Sequence, residues 1–360
     1  MLFLHSISLT QFKNYHNRTF NFTKKVTGIC GSNGVGKTNL LDAIHYLCIT
    51  KSYFSATDAI NVHHGLQGFR LQGLMELNGV TEKAVCILRE NGKKEFSVNG
   101  EAYARFSQHI GRYPCVVIAP DDAVLITGGS EERRSFLDSL LSQIDAAYLK
   151  SLIQYNKILQ QRNSFLKSTA DGAVADESLL AVLDEQLIPY GEDIFKKRRD
   201  FLVSFLPRVK RMYADIARND EGMALLYDSR LLDAPYADLL AAARQKDLLL
   251  QRTTAGIHRD DIVIQLLQQP FKNIASQGQR KSLLFALKLT ELEVIQTEKK
   301  FAPVLLLDDV FEKLDEARIT SLLQNVCLEN EGQVFITDTN TERLAHHLAQ
   351  INADFSIIEL

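Results

Sequence analysis

The spacing of apolar residues changes along the chain and divides it into three parts. Residues 3–30 and 68–100 contain short apolar segments separated by polar turns, several of them Asn-Gly pairs, which is typical of strands. Apolar side chains recur every three or four positions over 131–167, and a second run of this kind covers 177–218, so two long helices are predicted. From residue 304 onwards, predicted strands and helices alternate.

This order predicts an α/β fold whose sheet is assembled from both ends of the chain. We predict one lobe with a mixed sheet from residues 1–120 and 303–360, and a second, mainly helical lobe inserted as residues 121–302. The two long helices are expected to form an arm of the inserted lobe, packed within it rather than free as a coiled coil.

Composition and charge narrow the class of protein. The chain has 360 residues, 46% of them hydrophobic, which is enough for a large core. The net charge of −3 gives no global basic field, so a nucleic acid would have to bind a local basic face. The five cysteines lack the spacing of a zinc site or a disulfide framework, and neither a membrane span nor a signal peptide is apparent. We therefore expect a cytoplasmic protein.

A glycine-rich loop between a predicted strand and a predicted helix is the most specific motif. It fits the pattern G-x-x-x-x-G-K-[ST] with Gly31, Ser32, Asn33, Gly34, Val35, Gly36, Lys37 and Thr38. Backbone N–H groups of such a loop bind phosphate groups, as does the N-terminus of the helix that follows. Lys37 is a candidate catalytic residue, the cation for the β- and γ-phosphates of a nucleotide, and the Thr38 hydroxyl is a candidate Mg²⁺ ligand.

The apolar run of residues 304–307 ends in two carboxylates, Asp308 and Asp309. Ligands of α/β sheets lie at the carboxyl ends of the strands, so both side chains are expected at the site. Asp308 is the candidate that holds Mg²⁺. Asp309 is the candidate catalytic residue that orients or deprotonates the attacking water. Many apolar strands end in aspartate, so this assignment depends on the phosphate loop.

A third segment has the pattern S-x-G-Q at the start of a predicted long helix. It is formed by Ser276, Gln277, Gly278 and Gln279. A serine hydroxyl and backbone N–H groups at a helix N-terminus can bind a γ-phosphate. Taken alone, the segment is explained equally well by an ordinary serine N-cap.

The three motifs, in this order, resemble those of the ABC-type ATPases. The opening element Phe12-Lys13-Asn14-Tyr15 is similar to that of the SMC-like branch, and the whole chain resembles the bacterial RecF family of DNA repair proteins. Further similar segments are Gly128–Ser130 with Arg133–Asp138, and Gly256-Ile257-His258-Arg259-Asp260-Asp261.

Some positions depart from the family pattern. Ile257 stands where the family has proline, and Glu312-Lys313-Leu314-Asp315 stands where S-E-L-D is usual. The contacts expected of the second of these segments are therefore in doubt, although its aspartate is kept.

The resemblance implies an ABC-type P-loop ATPase head that binds ATP and Mg²⁺. It also implies an ATP-dependent homodimer, in which the S-x-G-Q segment of one subunit faces the phosphate loop of the other. Hydrolysis would be slow and would act as a switch. The expected role is in recombinational repair, replication restart and the SOS response to DNA damage, with binding at junctions of single- and double-stranded DNA. A RecR-type mediator protein is the expected partner, and RecA would be loaded at gaps.

Several residues remain candidates of lower specificity. Thr337 ends a predicted strand where transporters carry a switch histidine, and it is a candidate sensor of the γ-phosphate. The role of the segment from His258 to Asp261, structural or part of a nucleotide relay, stays open. Two basic clusters are candidate DNA contacts, although solvated helix faces explain them as well. They contribute Lys196, Lys197, Arg198, Arg199, Lys210 and Arg211.

Two other classes of protein share part of this pattern. A transporter ATPase subunit has all three motifs, but it would also need a coupling glutamine and a switch histidine. A single-chain P-loop metabolic kinase needs no S-x-G-Q segment and completes its site within one chain.

Overall fold

The computed structural model describes residues 1–168, 177–218, 221–311 and 316–360. Its strands are β1 (Leu2–Phe12), β2 (Tyr15–Asn21), β3 (Val26–Cys30), β4 (Phe69–Leu77), β5 (Val80–Leu88), β6 (Lys94–Val98), β7 (Glu101–Ala102), β8 (Cys115–Ile118), β9 (Met223–Asp228), β10 (Asp261–Leu266), β11 (Gln269–Pro270), β12 (Val304–Leu307), β13 (Val334–Asp338) and β14 (Phe355–Glu359).

The α-helices of the same ranges are α1 (Lys37–Ile49), α2 (Val124–Thr127), α3 (Ser130–Ile144), α4 (Ala146–Ser168), α5 (Glu177–Ala217), α6 (Tyr236–Leu250), α7 (Phe271–Ile274), α8 (Gln277–Lys299), α9 (Glu316–Leu323) and α10 (Thr341–Gln350). A π-helical segment, Gln324–Glu329, follows α9. No helix in the described ranges combines the length and the apolarity that crossing a membrane requires.

The chain divides into two compact units. The first consists of Met1–Asp122 and Glu291–Leu360, and the second of Ala123–Thr290. The second boundary lies inside α8, whereas the sequence-based division put it near the end of that helix, at residue 302.

An antiparallel sheet of six strands, in the order β2-β1-β4-β5-β6-β7, forms one layer of the first unit. Helix α1 packs against it, and 11 of the 13 residues of α1 are buried. At Gly73 of β4 a Cβ atom would come within 2.7 Å of Leu47 Cδ1, so glycine permits this close packing of helix on sheet. The aromatic rings of Phe12, Tyr46 and Phe69 meet edge to face in the core.

A parallel sheet of five strands, in the order β14-β3-β13-β12-β8, positions the candidate site. Both neighbours of β3 come from the C-terminal part of the chain, so the two ends of the sequence share this sheet. Every residue of β3, β12 and β13 is buried, as expected for the central strands of a parallel sheet. The phosphate loop follows β3, and Asp308 follows β12, at the same edge of the sheet.

The second unit is mainly helical, with α4 and α5 packed against each other and a small sheet in the order β11-β10-β9. The Arg162 side chain is fully buried and donates to Asp184 and Asp247 at 2.7 Å each, which joins α4 to α5 and α6. Burial of this guanidinium is possible because both neighbouring carboxylates compensate its charge.

The predicted α/β fold with a sheet from both chain ends and a helical insert is confirmed, but the single helix over 131–167 is wrong. The chain breaks at Asp145, which has extended backbone angles. Its Oδ1 accepts the N–H groups of Ala147 and Tyr148, so it caps the start of α4. The apolar spacing continues through this break, and periodicity therefore did not reveal it.

Candidate nucleotide-binding site

The phosphate loop connects the buried strand β3 to helix α1, as the motif predicts. Gly34 and Gly36 have φ angles of 85° and 117°, a region that glycine adopts without strain. A Cβ atom at Gly36 would also lie 2.6 Å from Asn14 Nδ2 and 2.8 Å from Tyr15 Oη. Glycine is thus required here by both the backbone angle and the neighbouring side chains.

Those two neighbours belong to the opening element of the chain and hold the loop in place. Asn14 Nδ2 donates to the Val35 carbonyl at 2.8 Å, and Tyr15 Oη donates to the Gly36 carbonyl at 3.0 Å. Asn39, on the first turn of α1, donates to Asn14 Oδ1 at 2.8 Å. In the sequence this element is recognisable only by its family resemblance, and no local pattern indicates that it braces the phosphate loop.

Lys37 is 5% exposed and folds back over the loop. Its ammonium donates to the carbonyls of Gly31 at 2.9 Å and Ser32 at 3.1 Å. The predicted phosphate-binding cation therefore lies at the glycine-rich loop.

The structure brings Thr38, Asp308 and Thr337 together although they are far apart in sequence. Thr38 Oγ1 lies 3.0 Å from each carboxylate oxygen of Asp308. The Thr337 hydroxyl donates to Asp308 Oδ1 at 2.8 Å and accepts the N–H of Asp309 at 2.9 Å. One buried hydroxyl on β13 thus fixes both consecutive aspartates.

The pKa of Asp308 is raised above its ordinary value, mainly because the carboxyl group is buried. The hydrogen bonds from Thr337 and Thr38 lower this pKa, and the negative charge of Asp309 raises it. A cation bound nearby would lower the pKa again, because an opposite charge favours the ionised carboxylate.

These oxygen atoms fit a magnesium ion. Mg²⁺ is usually held by one or two carboxylates, a hydroxyl and the phosphates of the nucleotide, rather than by a cage of protein ligands. Thr38 and Asp308 supply that donor set, and the described residues contain no cluster of three or more His, Cys, Asp or Glu side chains that would form such a cage.

Asp309 follows at the edge of a cavity of about 240 Å³. Its φ angle of 45° lies in the left-handed region, which is unusual for a residue other than glycine and turns the chain sharply after β12. The lining residues are Asn33, Asp309, Phe311, Thr337, Asp338, Thr339 and Arg343. The third residue of the phosphate loop and the predicted water-orienting aspartate therefore share one cavity.

In the second unit, the S-x-G-Q segment starts α8 with reciprocal capping bonds. The backbone N–H of Ser276 donates to Gln279 Oε1 at 2.8 Å, and the backbone N–H of Gln279 donates to Ser276 Oγ at 3.2 Å. The amide of Gln279 also donates to Glu221 Oε2 at 3.0 Å. Ser276 and Gln277 are exposed, so this helix N-terminus is open to solvent.

The segment from His258 to Asp261 is bonded inside the second unit. His258 Nε2 donates to the Thr253 carbonyl at 3.1 Å, and His258 Nδ1 therefore accepts the Tyr155 hydroxyl at 2.7 Å. Asp261 accepts Arg133 Nε at 2.7 Å, which pairs two of the family-like segments. Burial lowers the pKa of His258 to about 4. These contacts support the structural alternative for this segment.

The basic clusters on α5 differ in their surroundings. Arg198 is 1% exposed, and its guanidinium pairs with Asp138 at 2.6 Å and Asp260 at 3.2 Å. The predicted DNA contact is therefore wrong for Arg198, because the charge of this residue is already neutralised in the core. The other five candidates are at least partly exposed: Lys196, Lys197, Arg199, Lys210 and Arg211.

Two of these exposed side chains also form ion pairs on the surface. Lys197 pairs with Asp145 at 2.6 Å, and Arg199 with Asp200 at 2.8 Å. The segment Glu312–Asp315, which departs from the family pattern, lies outside the described residues.

Comparison with known proteins gives a consistent result over the full chain. A family model described as the RecF/RecN/SMC N terminal domain matches residues 3–355. The chain is 41% identical over 357 residues to the DNA replication and repair protein RecF of Flavobacterium johnsoniae, covering 99% of each. It is 39% identical over 360 residues to the protein of that name from Bacteroides thetaiotaomicron, covering 100% of this chain and 97% of the relative.

Solved structures agree with the sequence relatives. The recombination mediator protein RecF-ATPrS in the RecFOR pathway superposes with a TM-score of 0.89 at 29% identity, covering 100% of this chain and 96% of that one. RecF-ATP in the same pathway gives a TM-score of 0.87 at 30% identity, covering 94% and 92%. The Smc head domain of Pyrococcus furiosus shares the fold, with a TM-score of 0.56 at 18% identity. The match covers 100% of this chain and 93% of that one. The predicted ATPase head of the ABC and SMC type is thereby confirmed.

Proposed function

The chain belongs to the RecF family, and from this premise we propose that it is an ATP-driven DNA-binding protein of recombinational repair and replication restart. Two copies close around two ATP molecules, and the closed dimer holds DNA at junctions of single and double strands. With a RecR-type mediator protein it helps to place RecA on gapped DNA in the cytoplasm. Hydrolysis of ATP is slow and opens the dimer again.

The observation that carries this proposal is that the motif residues fall into a connected group beside the phosphate loop and a separate, exposed helix N-terminus. Thr38, Asp308 and Thr337 form one connected group beside the phosphate loop. Ser276, by contrast, stands exposed at the N-terminus of the 23-residue helix α8. An exposed hydroxyl at the N-terminus of a long helix suits an anion that arrives with another molecule.

The chain's own residues provide the parts for phosphoryl transfer to water. Lys37 binds the β- and γ-phosphates, and Thr38 with Asp308 holds Mg²⁺, which neutralises charge on the phosphates when bound. Asp309 orients the attacking water and accepts its proton. Thr337 keeps both aspartates in register through its single hydroxyl.

DNA is expected to be bound mainly through its phosphates, by exposed cations on α5. Lys196, Lys197, Arg199, Lys210 and Arg211 are the proposed contacts, and Arg198 is excluded by its burial. Because such contacts release counterions, DNA affinity should fall steeply as salt concentration rises.

A complementation experiment tests the shared site. Lys37→Ala disables a chain's own phosphate loop, and Ser276→Ala disables its contribution to a partner. Each variant alone should hydrolyse ATP poorly, and a mixture of the two should recover activity because the mixed dimer contains one intact site. If the mixture is no more active than its components, the site is completed within one chain and the clamp proposal is wrong.

Sedimentation then tests the switch. With Mg-ATP, wild type and Asp309→Asn should both double in mass, and the dimer of the variant should persist longer because hydrolysis is blocked. A gapped duplex should sediment with the dimer only. A protein that stays monomeric with ATP bound would contradict the proposal.

A further inference from the structure

The cavity beside Asp309 has an uneven distribution of charge. Of the seven described residues that line it, Asp309 and Asp338 are acidic and Arg343 alone is basic. The remaining four carry no charge, and one of them, Asn33, belongs to the phosphate loop. The cavity therefore adjoins the phosphate site and offers one guanidinium group.

Arg343 is held in a defined orientation at this cavity. Its Nη2 lies 2.5 Å from Asp338 Oδ1 and its Nε 3.2 Å from Oδ2, a two-point contact. Asp338 is 2% exposed and also accepts the backbone N–H of Asn340 at 2.9 Å. The carboxylate is thus a fixed anchor, whereas the Arg343 side chain is 45% exposed.

The position of Asp309 identifies which end of a nucleotide faces the cavity. A residue that orients the attacking water must lie beside the γ-phosphorus. The γ-phosphate would bring negative charge towards Asp309 and Asp338, so a cation on this side is favourable in addition to Lys37 and the Mg²⁺ expected at Asp308. A guanidinium has five N–H donors, so Arg343 can bind Asp338 along one edge and a phosphate along another.

We propose that Arg343 recognises the γ-phosphate and makes the site prefer ATP to ADP. The inference rests on the proposed function for ATP in the phosphate loop and for Asp309 beside the γ-phosphate, and it is independent of dimer closure. It also differs from the sensor role predicted for Thr337, whose hydroxyl is buried and bonded to both Asp308 and Asp309.

The test compares the binding of ATP and ADP, in the presence of Mg²⁺, to wild type and to Arg343→Gln. Calorimetry should show ATP affinity reduced about 10- to 100-fold, as for loss of a charge-assisted hydrogen bond. ADP affinity should change by less than about twofold, since ADP offers no γ-phosphate. Arg70→Gln removes an exposed arginine from the same unit and should leave both affinities unchanged.

Arg343→Gln leaves the buried Asp338 carboxylate without its cation, so this variant can lose stability. A second variant controls for that effect. The double variant Asp338→Asn with Arg343→Gln replaces the ion pair by two neutral amides. It should fold and show the same selective loss of ATP affinity.

The outcomes separate this inference from the proposed function. If ATP and ADP affinities fall together, or neither falls in the double variant, Arg343 has only a structural role and the inference is overturned. If ATP selectivity is lost as expected but wild type fails to dimerise with ATP, the inference stands and the clamp is wrong. Wild type that binds ATP no more tightly than ADP overturns the inference directly.

Discussion

Thr337 Oγ1 lies 2.8 Å from Asp308 Oδ1 and joins the ends of two neighbouring parallel strands. The same oxygen accepts the Asp309 N–H, so one hydroxyl sets the position of both aspartates. We therefore expect this uncharged side chain to affect ATP hydrolysis through the two aspartates.

We expect Thr337→Val, which is nearly isosteric, to lower the ATP turnover number at least tenfold. ATP affinity should change only a few-fold, because the phosphate loop and Lys37 are untouched. Thr337→Ser keeps the hydroxyl and should retain most of the activity. Equal activity of the valine and serine variants in single-turnover assays would contradict this role.

Asp308→Asn should separate stability from activity. Burial raises the pKa of Asp308, so the native state disfavours its charge, and a neutral amide of the same shape removes that penalty. The nucleotide-free variant should melt a few degrees higher than wild type in calorimetry while losing Mg-dependent hydrolysis. Asp309→Asn makes the same substitution at the partly exposed neighbouring residue and serves as the control.

Tyr15→Phe removes the hydrogen bond from the Tyr15 hydroxyl to the Gly36 carbonyl without changing the packing of the ring. We expect the loop to lose order and the affinity for ATP and ADP to fall by a similar factor of about 3 to 10. This equal loss distinguishes the brace from the selective effect of Arg343→Gln. Unchanged nucleotide affinity in calorimetry would show that the loop keeps its shape without this bond.

Acid should destabilise the chain through His109, which is fully buried and donates from Nε2 to the Leu47 carbonyl at 2.8 Å. Burial lowers its pKa from 6.5 to about 4. The unfolded state therefore binds the proton first, and stability that is present above about pH 6.5 is lost as the pH falls towards 4. The expected loss from pH 7 to pH 5 is about 2 kcal/mol.

Chemical denaturation of His109→Gln should show a shallower dependence on pH than wild type. The neutral amide can donate to the same carbonyl but takes up no proton. An identical slope for wild type and His109→Gln would mean that other groups control acid unfolding.

Within the basic run on α5, Arg198 should stabilise the fold, whereas its exposed neighbours should bind DNA. Arg198→Met is expected to lower the free energy of unfolding by about 3 to 5 kcal/mol, because Asp138 and Asp260 lose their buried cation. Lys196→Ala, on an exposed residue two positions away, should change stability by less than about 0.5 kcal/mol. DNA binding at several salt concentrations should show a reduced salt slope for the second variant only.

The fold and the central site were readable because their signals are local. The phosphate loop is a continuous motif, and an apolar strand ending in two aspartates needs no distant partner to be noticed. The hydrogen-bond partners of the site residues, by contrast, could not be predicted from local signals. That Thr337 holds Asp308, or that Asn14 donates to Val35, depends on register between strands far apart in sequence, and a single sequence does not encode that pairing in any short pattern.

The burial of Arg198 was unreadable for a related reason. It lies in a run of four basic residues that has the composition of a solvated surface, and its two carboxylate partners are 60 and 62 positions away. The break at Asp145 was missed for the opposite reason. Its N-cap is a local feature, but the apolar spacing of a helix continues on both sides of it.

The pairing of β3 with β13 and β14 has a consequence for how the protein is made. The strand that carries the phosphate loop leaves the ribosome long before its two hydrogen-bonded neighbours, which both lie within Val334–Glu359. Parallel pairing over such a separation is slow, and an unpaired apolar strand is prone to aggregation in the meantime. In a nascent chain the phosphate loop therefore gains its folded surroundings only after β13 and β14 have been translated, and β3 needs protection from aggregation until then.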